Sequence, residues 1–356
     1  MKVVDKPVCS VLCLLLSAGI AVVATRAAAT QPPATQQPTT QQTATQQTAT
    51  TATGDPNTTS PNTTSPNTAV GITSDGTMVV EASQTGLRVR RWSDLTIVRE
   101  VTMPCTQIHD LTFTTDEQHL VAAGGEPGGS GFISLLSWPT LQPVWQRELS
   151  SDVLYQCAVS ADGRSIAAAG HDHSVYLLEA VTGHQLVRLS GHSKPVTTVA
   201  FPDDRTLLSG SLDQTIRVWS LDSGQVLRSL TNHTGAVSDL AVCPASDVPL
   251  PLIASAGHDK TIRFWQPSIG RLVRFKRVAS PTTCVAFTPD GAAVLAGCRD
   301  GSVRCIDVVS LATRDYPGLT VGWINCITVH PVERRALVGC SDGTVRKIDI
   351  QWNSAP

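Results

Sequence analysis

The sequence predicts an all-β fold built from a repeated unit, and three observations support this prediction. Apolar and polar residues alternate in short runs from residue 67 onward, which is the period of β-strands. Glycine and aspartate separate these runs, as they do in tight turns. The same pattern returns seven times, and each copy has the size of one small sheet that needs neighbours to cover its faces.

Composition excludes some classes of protein. The 356 residues include 27 Lys and Arg against 29 Asp and Glu, a net charge of −2. Charged residues make up 16% of the chain, whereas soluble domains carry about 25%. This balance excludes a polycation that binds nucleic acid through its phosphates. The length suggests about two domains, although one large β-domain uses as many residues.

The first 29 residues have the pattern of an export signal. Lys2 and Lys6 precede an uncharged apolar run at 8–24, and small residues follow up to Ala29. This predicts a secretory signal peptide cleaved after Ala29. The alternative is an uncleaved signal anchor, although 17 helical residues span only about 25 Å. Both interpretations place the rest of the chain outside the cytoplasm, with membrane contact only through 8–24 if the segment is not cleaved.

Residues 30–66 are rich in Thr, Gln and Pro. They contain no Val, Leu, Ile, Met or aromatic residue, and Asp55 is their only charge. Such a segment buries too little apolar surface to offset the entropy of ordering, so we expect a disordered linker that acts as a tether. An O-glycosylated stalk is the alternative. The predicted repeat domain then covers 67–350, and 351–356 form a short C-terminal tail.

Each repeat has two parts. The first is an apolar-x-x-apolar-x-apolar pattern, often closed by Asp-Gly, which indicates a strand entering a turn. Its seven copies lie at 69–76, 108–117, 154–163, 196–205, 237–246, 282–291 and 324–333. The second part predicts two strands around a short turn, as in LLSGSLDQTIRVWS at 207–220. The last of these strands ends at equivalent positions 41 to 46 residues apart, at Arg90, Leu136, Leu178, Trp219, Trp265, Ile306 and Ile348.

These repeats resemble the WD-repeat β-propeller family, whose repeats of about 40–45 residues each form a four-stranded blade. The resemblance covers about residues 67–349 and implies a seven-bladed propeller, preceded by the signal segment and the Thr/Gln/Pro-rich tether. It also implies a hydrogen-bonded tetrad of His, Ser or Thr, Asp and Trp within a complete blade. Two copies carry the whole set: His192, Ser209, Asp213 and Trp219, and then His233, Ser255, Asp259 and Trp265.

Closure of the ring is the weakest part of this prediction. In the family, the outermost strand of the last blade usually comes from the start of the chain. Here that strand would have to come from the residues just before Asn67, where Pro56, Pro61 and Pro66 disfavour a regular strand. We therefore expect a three-stranded or weakly latched last blade, whose edge could accept a strand from a partner.

The sequence carries little that indicates catalysis. The tightest ligand cluster, His171-Asp172-His173, falls in a predicted turn and has no third ligand at metal-site spacing. No nucleophile elbow, phosphate-binding glycine loop or Cys-x-x-Cys pair is present. We therefore predict no metal, no cofactor and no enzymatic activity. The ten cysteines include Cys284 and Cys326 at one repeat position, which favours buried free thiols, with a disulfide as the alternative.

Two basic stretches are predicted to lie on outer strands, where alternate side chains meet solvent and discourage sheet-to-sheet association. An anionic ligand is the alternative interpretation. The stretches are Arg88, Arg90, Arg91 and Arg99, and then Arg271, Arg274, Lys276 and Arg277.

The resemblance also implies where a partner binds. We label the strands of a blade a to d from the channel outward; similar proteins bind proteins or peptides on the face formed by the b–c turns and the d–a loops. Trp323, just before the last inner strand, belongs to that face. Early inner-strand residues there are His109, Tyr155, Thr197, Ser238, Thr283 and Asn325, and turn residues are His171, Leu212, His258, Arg299 and Ser341.

We therefore predict a noncatalytic protein–protein interaction scaffold that binds a protein or peptide partner, not nucleic acid. Its predicted location is extracytoplasmic: secreted or periplasmic, or membrane-anchored if the N-terminal segment is kept. Two alternatives stay open. One is an extracytoplasmic propeller enzyme with a channel-bound metal or cofactor, and the other is a stalked structural protein of the cell envelope.

Overall fold

Seven small antiparallel sheets account for the strands of the computed structural model, which describes residues 65–84, 86–103, 107–244 and 251–352. These residues all belong to one compact unit. The predicted signal or anchor at 1–29 and almost all of the predicted linker at 30–66 lie outside the described residues.

The first four sheets each contain four strands, which pair in the order of the sequence. The first sheet has β1 (Asn67–Ile72), β2 (Met78–Ser83), β3 (Gly86–Arg91) and β4 (Ile97–Val101). The second has β5 (Ile108–Phe113), β6 (His119–Gly125), β7 (Gly131–Ser137) and β8 (Pro143–Ser150). The third has β9 (Leu154–Val159), β10 (Ser165–Gly170), β11 (Ser174–Glu179) and β12 (Gln185–Ser190). The fourth has β13 (Val196–Asp203), β14 (Thr206–Ser211), β15 (Ile216–Ser220) and β16 (Val226–Leu230).

The last three sheets complete the set. The fifth has β17 (Val237–Val242), β18 (Ile253–Gly257), β19 (Thr261–Gln266) and β20 (Arg271–Arg277), with a 3₁₀ turn at Pro267–Ile269 between the last two strands. The sixth has β21 (Thr282–Phe287), β22 (Ala293–Cys298), β23 (Val303–Asp307) and β24 (Thr313–Tyr316). The seventh has β25 (Ile324–Val329), β26 (Arg335–Cys340) and β27 (Val345–Asp349).

The sheets are arranged as a ring. The first strand of each sheet contacts the first strand of the next, and β25 of the seventh sheet contacts β1 of the first. Each apolar cluster combines residues of neighbouring sheets, because a single four-stranded sheet cannot cover both of its own faces. The chain is thus an all-β, seven-bladed β-propeller, as the sequence predicts, and each sheet is one blade.

The seventh blade has three strands among the described residues, β25, β26 and β27. The expectation of a three-stranded or weakly latched last blade stays a prediction. The residues that could supply a fourth strand lie before residue 65 and outside the described part of the chain.

The b–c turns have a common geometry, set by an aspartate. In blades 4 and 5 the Oδ1 atoms of Asp213 and Asp259 accept the amide hydrogens of Thr215 (3.0 Å) and Thr261 (3.1 Å). Asp172, Asp300 and Asp342 make the same bond in blades 3, 6 and 7. The residue after each aspartate has a positive φ. Glycine adopts this conformation without strain in blades 6 and 7 (Gly301 and Gly343), and non-glycine residues adopt it in blades 3, 4 and 5 (His173, Gln214 and Lys260).

The predicted outer-strand position of the first basic stretch is wrong for part of it. Arg90 lies on β3, a third strand, and its side chain is only 1% exposed. It is buried because its Nη2 atom lies 2.8 Å from the Oε1 atom of Glu81, on the neighbouring β2. Arg99 and the second stretch do lie on fourth strands, where Arg274 and Lys276 donate to backbone carbonyls of the sixth blade.

Candidate functional site

The entrance of the central channel is supported by the tetrads, which fix the position of the turns around it. In blade 4, Trp219 Nε1 donates to Ser209 Oγ (2.8 Å), and Ser209 Oγ lies 2.7 Å from His192 Nε2. Asp213 Oδ2, 2.8 Å from His192 Nδ1, can only accept, so the hydrogen of the neutral ring is on Nδ1 and Nε2 accepts from the Ser209 hydroxyl. The bonds link strands b and c to the d–a loop within one blade.

Electrostatics agree with this arrangement of protons. Burial lowers the pKa of His192, so the ring is neutral near neutral pH. Burial alone would raise the pKa of Asp213, but bonds from Thr215, His192 and the Ser193 amide outweigh it and set a pKa of about 2. Blade 5 has the same geometry, with His233 2.9 Å from Asp259 and 2.7 Å from Ser255, to which Trp265 also donates (2.9 Å).

The second residues of the seven inner strands form a ring at the mouth of the channel. Five of them donate to a backbone carbonyl of the next blade. These are Thr68 to Ile108 (2.6 Å), Thr197 to Val237 (2.6 Å), Ser238 to Thr282 (2.8 Å), Thr283 to Ile324 and Asn325 to Asn67 (2.9 Å). We call these five residues the hydroxyl–amide belt, and it joins successive blades, including the last to the first.

His109 and Tyr155 occupy the two other ring positions, and their side chains contact each other and the rim. Their ring centroids are 6.0 Å apart. The Tyr155 hydroxyl lies 2.7 Å from Nδ1 of His171, and Nε2 of His171 lies 3.7 Å from Asp152. Burial lowers the pKa of His109, whose Nε2 atom has no hydrogen-bond partner among the described residues. This side of the entrance therefore presents aromatic and imidazole groups.

A second cluster lies on blades 5 to 7. The guanidinium carbon of Arg299 is 4.6 Å from the ring centroid of Trp323, and Arg299 Nη2 lies 3.3 Å from His258 Nε2. Trp323 is held by its backbone, because its amide donates to Ser341 Oγ (2.8 Å) and its carbonyl accepts the Ser341 amide (2.9 Å). Arg299 forms no ion pair with a carboxylate in the described ranges.

A cavity of about 480 Å³ lies between these two clusters. It brings together eight of the residues predicted on the binding face: His109, Tyr155, Thr197, Leu212, Ser238, His258, Trp323 and Asn325. His171, Arg299 and Ser341 contact members of this set from further out. The predicted turn residues each make the same type of backbone hydrogen bond, in which the amide donates to a carbonyl of the preceding d–a loop. They are His171, Leu212, His258, Arg299 and Ser341.

Some lining residues escaped the sequence analysis. Thr68 lines the cavity, and aligning the first repeat from Asn67 instead of from Ala69 would have placed it in the ring. Deeper in the channel, Asp110 and Asp239 accept backbone amide hydrogens from the next blade at Cys157 and Val285, each at 2.9 Å. Both lie within predicted inner strands, but nothing in the sequence indicated that they bridge neighbouring blades.

Four segments of the chain match one protein-family model. The family model WD40, described as WD domain, G-beta repeat, matches at 183–220, 224–266, 275–307 and 314–349. The chain carries WD40 repeats. The four matches cover the fourth to seventh blades, and the first two of them contain both complete tetrads.

Curated relatives carry the same kind of repeat over part of their length. Protein ROOT INITIATION DEFECTIVE 3 of Arabidopsis thaliana is 28% identical over 239 residues, which are 62% of this chain and 52% of that protein. THO complex subunit 3 of Arabidopsis thaliana is 32% identical over 33% of this chain and 38% of its own. Pre-mRNA-processing factor 19 of Mus musculus is 30% identical over 44% of this chain and 32% of its own. The aligned part thus spans about half or less of these relatives.

WD40 propellers are typical of protein-interaction scaffolds. The described ranges contain no group of three or more His, Cys, Asp or Glu residues placed to hold a metal ion. Two side chains of the His171-Asp172-His173 turn make contacts within the protein: His171 contacts Tyr155, and Asp172 accepts from Tyr176 (2.5 Å) and Arg188 (2.6 Å). No helix in the described ranges is long and apolar enough to cross a membrane.

The channel aspartates of the WD40 ring predict a pH dependence of stability. Burial raises the pKa of Asp110 to about 7 and that of Asp239 to about 6. Between the unfolded and folded pKa values the folded chain binds more protons, so stability falls as pH rises. We compare the free energy of unfolding of Asp110→Asn with that of the parent protein at about pH 4.5 and about pH 7.5. The difference should shift in favour of the variant by about 1–2 kcal/mol between the two pH values, less than full burial would give because water reaches the channel.

Urea denaturation at the two pH values measures this difference. Asp75→Asn is the control, because bonds from Thr73 and Thr77 lower the pKa of Asp75 and keep it ionised at both. Its effect on stability should therefore be nearly the same at both pH values. The prediction would be contradicted if the free energy of unfolding of Asp110→Asn differed from that of the parent protein by the same amount at both pH values.

Proposed function

We propose that this chain is a noncatalytic scaffold that binds a segment of a partner protein, or a peptide, at the channel entrance. The observation that carries the proposal is the pair of clusters around one cavity: His109, Tyr155 and His171 on one side, and His258, Arg299 and Trp323 on the other. The hydroxyl–amide belt holds the other ring positions in place. Such a rigid frame with exposed aromatic and cationic side chains suits a protein interface.

The chemistry of the entrance indicates what the segment contains. Trp323 is 49% exposed and Val321 is fully exposed. Beside them, the Arg299 guanidinium has donors available for a carboxylate, since it forms no ion pair with the described residues. We therefore propose that the bound segment places an acidic side chain next to an apolar one over blades 5 to 7.

The test replaces His258, Arg299 and Trp323 together by alanine. Aromatic and arginine side chains that become buried in an interface dominate its binding energy. The triple variant should therefore lose about tenfold or more of its affinity for a partner that binds at the channel entrance. Partners are captured from extract of the native source with the parent protein and the variant, compared by quantitative mass spectrometry, and titrated as purified proteins. The melting temperature should change little, since these residues lie at the surface.

The matched control replaces Arg164, His184 and Val332, an arginine, a histidine and an apolar residue that are exposed on the opposite face. A partner that binds at the channel entrance should bind this control and should not bind the triple variant of His258, Arg299 and Trp323. A partner that binds that triple variant as tightly as the parent protein would show that the entrance is not its binding site.

We also propose that the scaffold is displayed outside the cytoplasm. This rests on the sequence of residues 1–29, with its basic start, apolar run at 8–24 and small residues up to Ala29. Fractionation of expressing cells should place the propeller outside the cytoplasm, and N-terminal sequencing should find a mature chain starting at Thr30 if the segment is cleaved. Recovery of the chain with intact Met1 in the soluble cytoplasmic fraction would overturn this part.

A further inference from the structure

A cleft of about 340 Å³ opens between the second and third blades, on the face opposite the channel entrance. Its volume is at the small end of ligand pockets, which span roughly 300–1,000 Å³. Its walls combine apolar side chains with two carboxylates. They are formed by Thr114, Thr115, Asp116, His119, Leu135, Val144, Asp162, Gly163, Ala180 and Val181.

Ala180 lies at a position that the repeat defines. In six of the seven blades the residue after the third strand donates its amide to the carbonyl of the residue shortly before the second strand; in the fifth blade that residue is Pro267, which has no amide hydrogen. Trp92 donates to Thr77, Trp138 to Gln118 and Ala180 to Arg164, all at 2.8 Å. The three residues are therefore structurally equivalent, and each packs against the preceding blade.

The equivalent side chains differ in size, and the cleft follows from that difference. Trp92 is buried against Leu337 and Val345 of the seventh blade. Trp138 packs edge-on against Phe113, with ring centroids 5.1 Å apart. Ala180 has only a methyl group at the position where the first and second blades have an indole. The buried indole of Trp145, from the fourth strand of the second blade, fills part of this junction and donates to the Ala180 carbonyl (3.1 Å). The cleft is the space that remains beside it, along Leu135, Val144 and Ala180.

Two tryptophans of the chain show how an indole occupies this kind of space. Trp92 Nε1 donates to Glu333 Oε2 (3.1 Å), on the a–b turn of the preceding blade. Trp352, two residues beyond the Ala180-equivalent position of the seventh blade, donates in the same way to Asp290 Oδ2 (2.8 Å) of the sixth. In both cases an acidic side chain of the preceding a–b turn accepts the indole hydrogen.

Asp116 is the corresponding residue at the empty cleft, and its geometry matches that of Asp290. Asp290 Oδ1 accepts from the Thr288 hydroxyl (2.6 Å) and the Ala292 amide (3.0 Å), which leaves Oδ2 for Trp352. Asp116 Oδ1 accepts from the Thr114 hydroxyl (2.6 Å) and the Gln118 amide (3.0 Å). Its Oδ2 accepts no hydrogen bond from the described residues.

We propose that this cleft binds the side chain of a tryptophan from a partner peptide, with the indole N–H donating to Asp116 Oδ2. Val144 and Val181, which are 51% and 78% exposed, would cover the ring. The carboxylates of Asp116 and Asp162 favour a lysine or arginine next to that tryptophan. The site lies away from the entrance, so it stands or falls independently of the proposed function.

The probe is a capped Lys-Trp-Lys tripeptide that carries 5-fluorotryptophan, titrated with the full chain and followed by fluorine NMR. We expect a saturable shift of the fluorine signal. Asp116→Asn should weaken binding about tenfold, because the asparagine oxygen stays with the Thr114 hydroxyl and the Gln118 amide and the NH2 donor then faces the indole hydrogen. Ala180→Trp should abolish the shift, since it fills the cleft as Trp92 and Trp138 fill theirs.

Val309→Trp is the matched control, because it adds a tryptophan at an exposed site on the sixth blade and leaves the cleft open. Thermal melts establish that each variant is folded, and Asp116→Asn provides the test if Ala180→Trp is not. Three results would overturn the proposal: no saturable shift with the parent protein, an unchanged titration with Asp116→Asn, or equal competition by an unlabelled Lys-Leu-Lys peptide. The last would assign the cleft to an aliphatic side chain.

Discussion

Replacing Glu81 by alanine is expected to lower the free energy of unfolding by about 3–5 kcal/mol, because it leaves a buried guanidinium without its partner. Glu81 and Arg90 are each 1% exposed, and Glu81 Oε1 lies 2.8 Å from Arg90 Nη2. Arg90 also donates to the Leu95 carbonyl at 2.9 Å. In Glu81→Ala this bond would be the main interaction left to stabilise the buried guanidinium. Chemical denaturation of the purified variant measures the loss.

Two further variants separate the charge from the packing. Glu100→Ala removes an exposed carboxylate that pairs with Arg88 at 2.7 Å, and it should cost less than about 1 kcal/mol. The double variant Glu81→Met with Arg90→Met removes both charges and keeps most of the volume, so it should recover much of the stability. A Glu81→Ala loss no greater than that of Glu100→Ala would show that the pair contributes little.

Trp92→Ala is expected to cost about 3–5 kcal/mol and to loosen the junction between the last and first blades. The Trp92 ring lies 4.5 Å from that of His330 and 4.5 Å from the Nζ atom of Lys347, both on the seventh blade. Its indole donates to Glu333, and Lys347 Nζ donates to the Trp92 carbonyl. These contacts join residues more than 230 positions apart in the chain.

Hydrogen exchange provides the specific readout, because a local opening should raise exchange in β1 and in β25 to β27 before it reaches β13 to β19. Trp323→Ala is the control, as a half-exposed tryptophan at the entrance whose removal should leave the junction unchanged. Trp92→Phe should keep much of the packing and lose only the bond to Glu333. Uniform exchange around the ring in Trp92→Ala would contradict a local role for this residue.

The repeat explains why so much of the fold could be predicted from the sequence. Alternating apolar residues and turn aspartates are local signals, and each of the seven copies carries them, so errors in one copy are corrected by the others. The resemblance to WD-repeat proteins implied the tetrads, and their Ser, Asp and Trp recur at matching offsets as Ser209, Asp213 and Trp219 and then Ser255, Asp259 and Trp265, whereas the insertion in the fifth copy lengthens the interval from His233 to Ser255. The entrance residues followed from their places in the repeat.

The departures from the repeat were less predictable. Arg90 reads as a surface cation in a basic stretch, yet it is buried, because its partner Glu81 lies on the adjacent strand. Asp110 and Asp239 fall within predicted inner strands, where no sequence signal marks them as special, yet they line the channel and accept amides from the next blade. In each case the deciding partner belongs to another strand, and local sequence does not identify it.

The number of repeats, the strands within each blade and the residues that the turns place around the channel entrance could all be predicted from local sequence patterns. How neighbouring blades meet could be seen only in the folded ring: which ring positions enter the hydroxyl–amide belt, how Trp92 closes the ring, and where a cleft opens beside Ala180. The reason is physical. Strand period and turn chemistry act over a few residues, whereas the fit between two blades depends on the volumes and hydrogen-bonding groups of side chains that only the closed ring brings together.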